Sequence, residues 1–113
     1  FKNNRLYKVT DIIDEHTLKL HTGLIVKLLG VRVNKKREAL QYLKKYVLKK
    51  EVLLKYNNGA VLDEKTIEAY VYLKNKIFIN AYLIKSGLAL ADKSKNHKFK
   101  TKFLELERMC KHG

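Results

Sequence analysis

The sequence predicts a mixed α+β domain: a small barrel of five short strands that carries three helices. Three observations lead there. Short runs of β-branched and alternating residues fill the first third of the chain, and the apolar period later turns helical. The order strand, strand, strand, helix, strand, strand, helix, helix does not repeat a βαβ unit. A length of 113 residues suits one domain, expected to span residues 1–113. No internal repeat is visible, and because the chain begins at Phe1 it is expected to be a piece of something longer.

Residues 5–13 (RLYKVTDII) and 17–21 (TLKLH) are expected to form two paired strands joined by the polar turn Asp14-Glu15-His16. His21-Thr22-Gly23 supplies a second turn, whose glycine can take positive φ. Residues 24–33 (LIVKLLGVRV) are almost continuously apolar, the pattern of a strand buried on much of both faces. Lys27 and Arg32 are its exceptions, and Gly30 marks a bend or bulge. Asn34 is placed to cap a helix running to about Val47. Ala39, Leu40, Leu43, Tyr46 and Val47 form its apolar stripe, and the opposite face is strongly basic.

Residues 51–56 (EVLLKY) form the fourth strand, Asn57-Asn58-Gly59 a turn and residues 68–73 (EAYVYL) the fifth strand. Asn75-Lys76 leads into a short strand at Ile77-Phe78-Ile79, and Asn80 caps a helix that stops at Gly87. A last helix carries Phe99, Phe103, Leu106 and Cys110 on one face. Residues 91–98, polar and Lys-rich, are expected to cross the surface without separating domains. Five short, mostly antiparallel strands with a helix after the third suggest a barrel of the OB type.

Composition narrows the function. A hydrophobic share of 46% argues against disorder, and the absence of proline with only five glycines excludes collagen-like and linker compositions. Cys110 is the single cysteine, which excludes an intrachain disulfide framework and a thiolate metal cluster and favours a reducing, cytoplasmic setting. No apolar run approaches the roughly 18 residues that span a bilayer, and no signal peptide opens the chain, so no membrane partner is expected. The formal net charge of +14 attracts polyanions, and nucleic acid is the leading partner class. The plainer explanation is a Lys-rich solvated surface.

The runs IIDEHTLKL, GLIVKLLGVRV, EALQYLKKYV, AYVYL and FINAYLIKSGLAL, in this order and spacing, resemble the staphylococcal nuclease (thermonuclease) domain from about Arg5 to Arg108. The resemblance implies a five-stranded OB barrel with three helices. Members that cut nucleic acid carry Asp-Gly-Asp-Thr between the first two strands, an Arg inside the third, Asp-Thr-Pro-Glu after it, and a second Arg just before the fifth. Those groups hold Ca²⁺, activate water and neutralise the phosphate.

Here the first motif reads Asp14-Glu15-His16-Thr17, with His16 in place of the metal-binding second Asp. Lys27 takes the first Arg position, Arg32 the other metal-binding Asp, Val33-Asn34-Lys35 the Thr-Pro-Glu, and Thr66 the second Arg. Ca²⁺ requires several hard oxygen ligands, and an ammonium has no lone pair with which to accept a proton. Lys offers phosphate only a point charge where Arg offers a bidentate fork. No catalytic residue, metal ligand or cofactor is therefore expected.

The same replacements favour binding. Lys27, Arg32 and Lys35 would cluster where the family places the scissile phosphate. Lys36 and Arg37 add charge on the first helix, and Lys93 and Lys95 stand where active relatives present tyrosines. These seven residues are the expected nucleic-acid contacts. Lys44 and Lys45 extend the basic helix face. Tyr7, Tyr56, Tyr70 and Tyr72 are expected to pack against the sheet. His16 and His21 lack partners for a metal site, His97 and His112 are expected to be solvated, and Asp63, Glu64 and Glu68 to lie in a solvated loop. Cys110 is expected to be a small buried hydrophobe.

The functional expectation is a catalytically inactive nuclease-like domain that binds nucleic acid, DNA in the first place, alongside the catalytic domain of the same longer chain. The resemblance extends to tails of bacterial restriction–modification DNA methyltransferases. The alternatives are a divergent metal-dependent nuclease using Asp14, Glu15 and His16, and a protein-interaction or dimerisation module.

Overall fold

Burial along the first strand explains how the sheet closes. In β1 (Tyr7–Asp14) the buried residues are Val9 and Ile12, three apart, because a bulge shifts the register between Val9↔Leu20 and Asp11↔Lys19. The extra residue bends the strand and raises its twist, as a small barrel requires. The computed structural model describes residues 5–56, 61–94 and 96–112, with side chains only to Cys110 in the last stretch.

β1 pairs antiparallel with β2 (Thr17–Leu20), and β2 with β3 (Ile25–Leu28). α1 (Lys36–Tyr46) and the strands on either side of it, β4 (Val31–Val33) and β5 (Glu51–Lys55), separate β3 from β6 (Thr66–Leu73), and this connection lets β3 and β6 pair in parallel. β5 pairs antiparallel with β6 and with β1, closing the barrel in the order β1-β2-β3-β6-β5. Closure leaves those five strands no open edge. The five-stranded OB-type barrel with three helices is the fold that the sequence predicts.

Val9, Leu18, Leu20, Val26, Val52, Leu54 and Val71 fill the barrel and are at most 1% exposed. Ala39, Leu43 and Val47 of the α1 segment, and Ile79, Leu83 and Ile84 of α2 (Ile79–Lys85), are fully buried as well. α3 (Lys100–His112) docks through Phe103. Around it Tyr70 meets Phe78, Phe99 and Phe103 edge-on, with ring centroids 5.6, 4.9 and 6.1 Å away.

Several local expectations change. The long apolar run is two strands, because Gly30 (φ 82) turns the chain out of the barrel after β3. β4 then pairs with β7 (Ala89–Ala91), a three-residue strand of Ala, Leu and Ala that carries no local β signal. The fifth barrel strand starts two residues earlier than expected, at Thr66. Ile77-Phe78-Ile79 is only a bridge from Phe78 to Tyr72, since Ile79 already begins α2.

Neither asparagine caps its helix. Lys35 occupies the cap of α1 and Phe78 that of α2, with no side-chain cap hydrogen bond at either. Asn80 lies inside α2, fully buried. Its Oδ1 accepts the Val71 N–H at 2.9 Å, and its Nδ2 donates to the carbonyls of Leu29 at 2.8 Å and Ala69 at 3.2 Å.

Gly87 (φ 83) ends α2 as expected. Cys110 is exposed, because α3 turns Phe103 and Glu107 to the core and leaves Cys110 at the surface beside Gly87. His97 is half-buried against Gly30 and Phe103, with Nδ1 hydrogen-bonded to the Tyr70 hydroxyl, so it is not a solvated residue. Tyr56 is 46% exposed. The turn at 57–59 and the His112 side chain lie outside the described residues.

Candidate nucleic-acid interface

The β1–β2 turn is self-contained. Asp14 Oδ1 accepts the His16 N–H at 2.9 Å, an Asx turn, and His16 Nδ1 lies 3.4 Å from the same oxygen and 2.9 Å from Thr17 Oγ1. Asp14 and Thr17, the two residues that match the family motif, therefore brace the turn. Thr17 pairs with Lys27 across β2–β3, and Lys27 with Glu68 across β3–β6. Neighbouring strands thus carry these groups to one mouth of the barrel. β4 and the start of α1 bring Arg32 and Lys36 to the same place, and the chain leaving β7 brings Asp92.

The result is a cleft of about 400 Å³ whose polar lining is Glu15, His16, Lys27, Arg32, Lys36, Glu68 and Asp92. Lys27, Arg32 and Lys36 converge there, as the sequence suggests. They do not make a purely basic pocket, because Glu15, Glu68 and Asp92 set three carboxylates against three cations. Sequence reasoning missed Glu68 and Asp92. Glu68 stands within β6, half-buried beside Lys27, and not in the exposed loop with Asp63 and Glu64. Its only sequence signal is its place within a strand, and Asp92 follows a strand with no local signature.

Lys35 and Arg37 do not line the cleft but flank Lys36 in the chain. With Arg32 they form a run in which every basic side chain is exposed. Lys93 lies elsewhere: its Nζ is 3.9 Å from Glu107 Oε2. Glu107, only 7% exposed, also accepts the Ala91 N–H at 2.9 Å and so ties α3 to β7. Lys95 lies outside the described residues.

The family model described as Staphylococcal nuclease homologue matches residues 28–112. The chain belongs to the staphylococcal nuclease family. The match covers everything from the end of β3 to α3. The β1–β2 turn and Lys27 precede it and join the nuclease-like fold through the strand pairing described above. A search of curated proteins returns no match.

Nuclease-type Ca²⁺ does not fit the cleft as built. Three cationic side chains share the space that its oxygen ligands would need. Among the described residues no three His, Cys, Asp or Glu side chains are placed to hold one metal ion. Among the described residues, too, no helix is long and apolar enough to cross a membrane.

Proposed function

We propose that this nuclease-like domain binds nucleic acid, with DNA as the first candidate, without cutting it, and serves as an accessory domain of a DNA-modifying enzyme. The observation that carries the reading is the exposed basic run Arg32, Lys35, Lys36 and Arg37. It spans the β4–α1 junction, where Arg32 and Lys36 line the cleft and Lys35 and Arg37 flank Lys36 in the chain; the resemblance implies that the family's phosphate lies at this cleft. Backbone phosphates can lie along such a run without entering the mixed-charge interior. Lys27 would add a contact from within, and Lys93 and Lys95 long-range charge. Contacts of this kind are largely sequence-independent and weaken as salt rises.

Loss of the family's catalytic pattern supports the non-catalytic half. His16, Lys27, Arg32, Lys35 and Thr66 hold the positions of the ligands, the general base and the phosphate clamp. The likeness of the run FINAYLIKSGL to tails of restriction–modification methyltransferases supports the choice of parent enzyme. Binding of S-adenosylmethionine by the intact protein tests that part.

The deciding experiment is fluorescence anisotropy of labelled single- and double-stranded DNA titrated with NaCl, beside plasmid incubated with Ca²⁺ or Mn²⁺. Log-linear salt dependence, a shallower slope in an Arg32/Lys35/Lys36→Ala variant and intact plasmid are the expected results. One observation favours a second reading, since Glu15, His16, Glu68 and Asp92 share the cleft and could serve a divergent cleavage chemistry. Plasmid cleavage abolished by Asp14→Ala or Glu15→Ala would establish it.

A further inference from the structure

A larger groove, about 700 Å³, opens between α1, α2 and the β5–β6 side of the barrel, and none of its lining residues belongs to the cleft. Tyr42, Tyr46 and Tyr82 form its aromatic wall. Tyr42 and Tyr82 stack with centroids 4.7 Å apart, and Tyr46 lies 5.2 Å from Tyr42. Tyr46 is 49% and Tyr82 40% exposed, and Ile77 beside them 40%. Lys49, Lys50 and Lys74 stand round the rim. The single carboxylate of the lining, Glu51, lies 3.6 Å from Lys74 Nζ, and Lys45 Nζ lies 5.2 Å from the Tyr46 ring centroid.

This combination selects its occupant. Three clustered aromatic rings could cage a cation, but a lysine rim repels one. Flat π faces with ammonium groups beside them suit a planar base joined to a phosphate. Bases in a duplex keep their faces stacked on each other, so the fitting partner is a single strand. α1 links the two sites: Lys36 lines the cleft and Tyr46 the groove, about 15 Å apart at 1.5 Å per residue. The exposed side chains of Lys44 and Lys45 lie toward its far end.

We propose that the tyrosine groove is a second nucleic-acid contact, which stacks an unpaired base against Tyr46 or Tyr82 and holds its phosphates with Lys49, Lys50 and Lys74. The inference rests on the reading that the domain binds nucleic acid, and it adds a preference for single strands.

The test compares a labelled oligothymidylate with a duplex of equal charge, using this chain, Tyr46→Ala and Tyr82→Leu. Tyr82→Leu keeps apolar bulk against Tyr42 while removing the π face, and circular dichroism checks that each variant folds. The chain has no tryptophan, so its emission is that of its tyrosines, and quenching that Tyr46→Ala or Tyr82→Leu reduces reports stacking in the groove. The expected result is quenching and an affinity for oligothymidylate reduced about tenfold in each variant, with duplex binding unchanged. Unchanged oligothymidylate affinity overturns the groove and leaves the cleft reading standing. No binding of either probe by the parent removes both. A dimer in sedimentation that Tyr46→Ala dissolves, with oligothymidylate affinity retained, assigns the groove to a second copy and overturns the proposal.

Discussion

Lys27 and Glu68 face each other across the parallel β3–β6 pair, and both side chains line the cleft. A carboxylate thus sits beside one of the three cations of the cleft. Glu68→Gln removes the negative charge at nearly constant shape. It should tighten DNA binding by roughly two- to fivefold at low salt, and Lys27→Gln should weaken it by a similar factor. Anisotropy at fixed NaCl measures both, and equal affinities for Glu68→Gln and the parent would remove the cleft from the binding surface.

Asn80 joins α2 to the Val71 N–H and Ala69 carbonyl of β6 and to the Leu29 carbonyl just after β3, from a fully buried position. Asn80→Leu fills a similar volume but removes the three side-chain hydrogen bonds; of the backbone groups involved, the Ala69 carbonyl keeps the Leu29 N–H at 3.0 Å. A loss of about 3 kcal/mol is expected, the sum of broken hydrogen bonds and desolvated partners. Denaturant unfolding at constant m measures it.

Gly30 combines positive φ with a crowded surrounding. A Cβ there would lie 2.6 Å from His97 Cε1 and 2.8 Å from Phe103 Cε2. Gly30→Ala should cost about 3 kcal/mol from backbone strain and overpacking together. Gly23 has a similar φ with nothing within 4 Å, so Gly23→Ala should cost about half as much. Equal losses at the two positions would show that strain, not crowding, governs Gly30.

Tyr42 links stability to alkaline pH. Burial, reinforced by Tyr82 and Tyr46 beside it, pushes its phenol up from 10.0 to about 12. The folded chain holds that proton to higher pH than the unfolded chain. The stabilising contribution is therefore complete below about pH 10 and lost as pH rises toward 12. Tyr42→Phe should flatten the fall of Tm through this window. Burial also raises Tyr70 and Tyr72, but both remain in the variant, so the difference isolates Tyr42. Parallel curves for the two proteins would show that Tyr42 titrates normally.

Much of this architecture was legible in the chain. The alternation of Leu18, Lys19 and Leu20 in β2, the basic α1, the bend at Gly30 and the stop at Gly87 are local properties, and each appears where the residues predict it. The asparagines were misassigned because Asn80 has the residue type of a cap at the head of a helix. Only the approach of Leu29 and Ala69 shows that its amide staples the sheet. Cys110 was misjudged because spacing identifies a stripe without showing which of its positions meets the core.

By itself the sequence determined the barrel class, the succession of helices, and the basic stretch of Arg32, Lys35, Lys36 and Arg37, because these depend on neighbours within a turn or a strand. The tertiary structure alone decided that Glu68 and Asp92 oppose Lys27 and Arg32, that Glu107 draws Lys93 toward α3, and that Tyr42 stacks on Tyr82. The residues of each such contact are far apart in the chain and meet only through strand register, barrel closure and helix docking. Periodicity reports which face of an element is apolar; it carries no information about which distant face that element will meet.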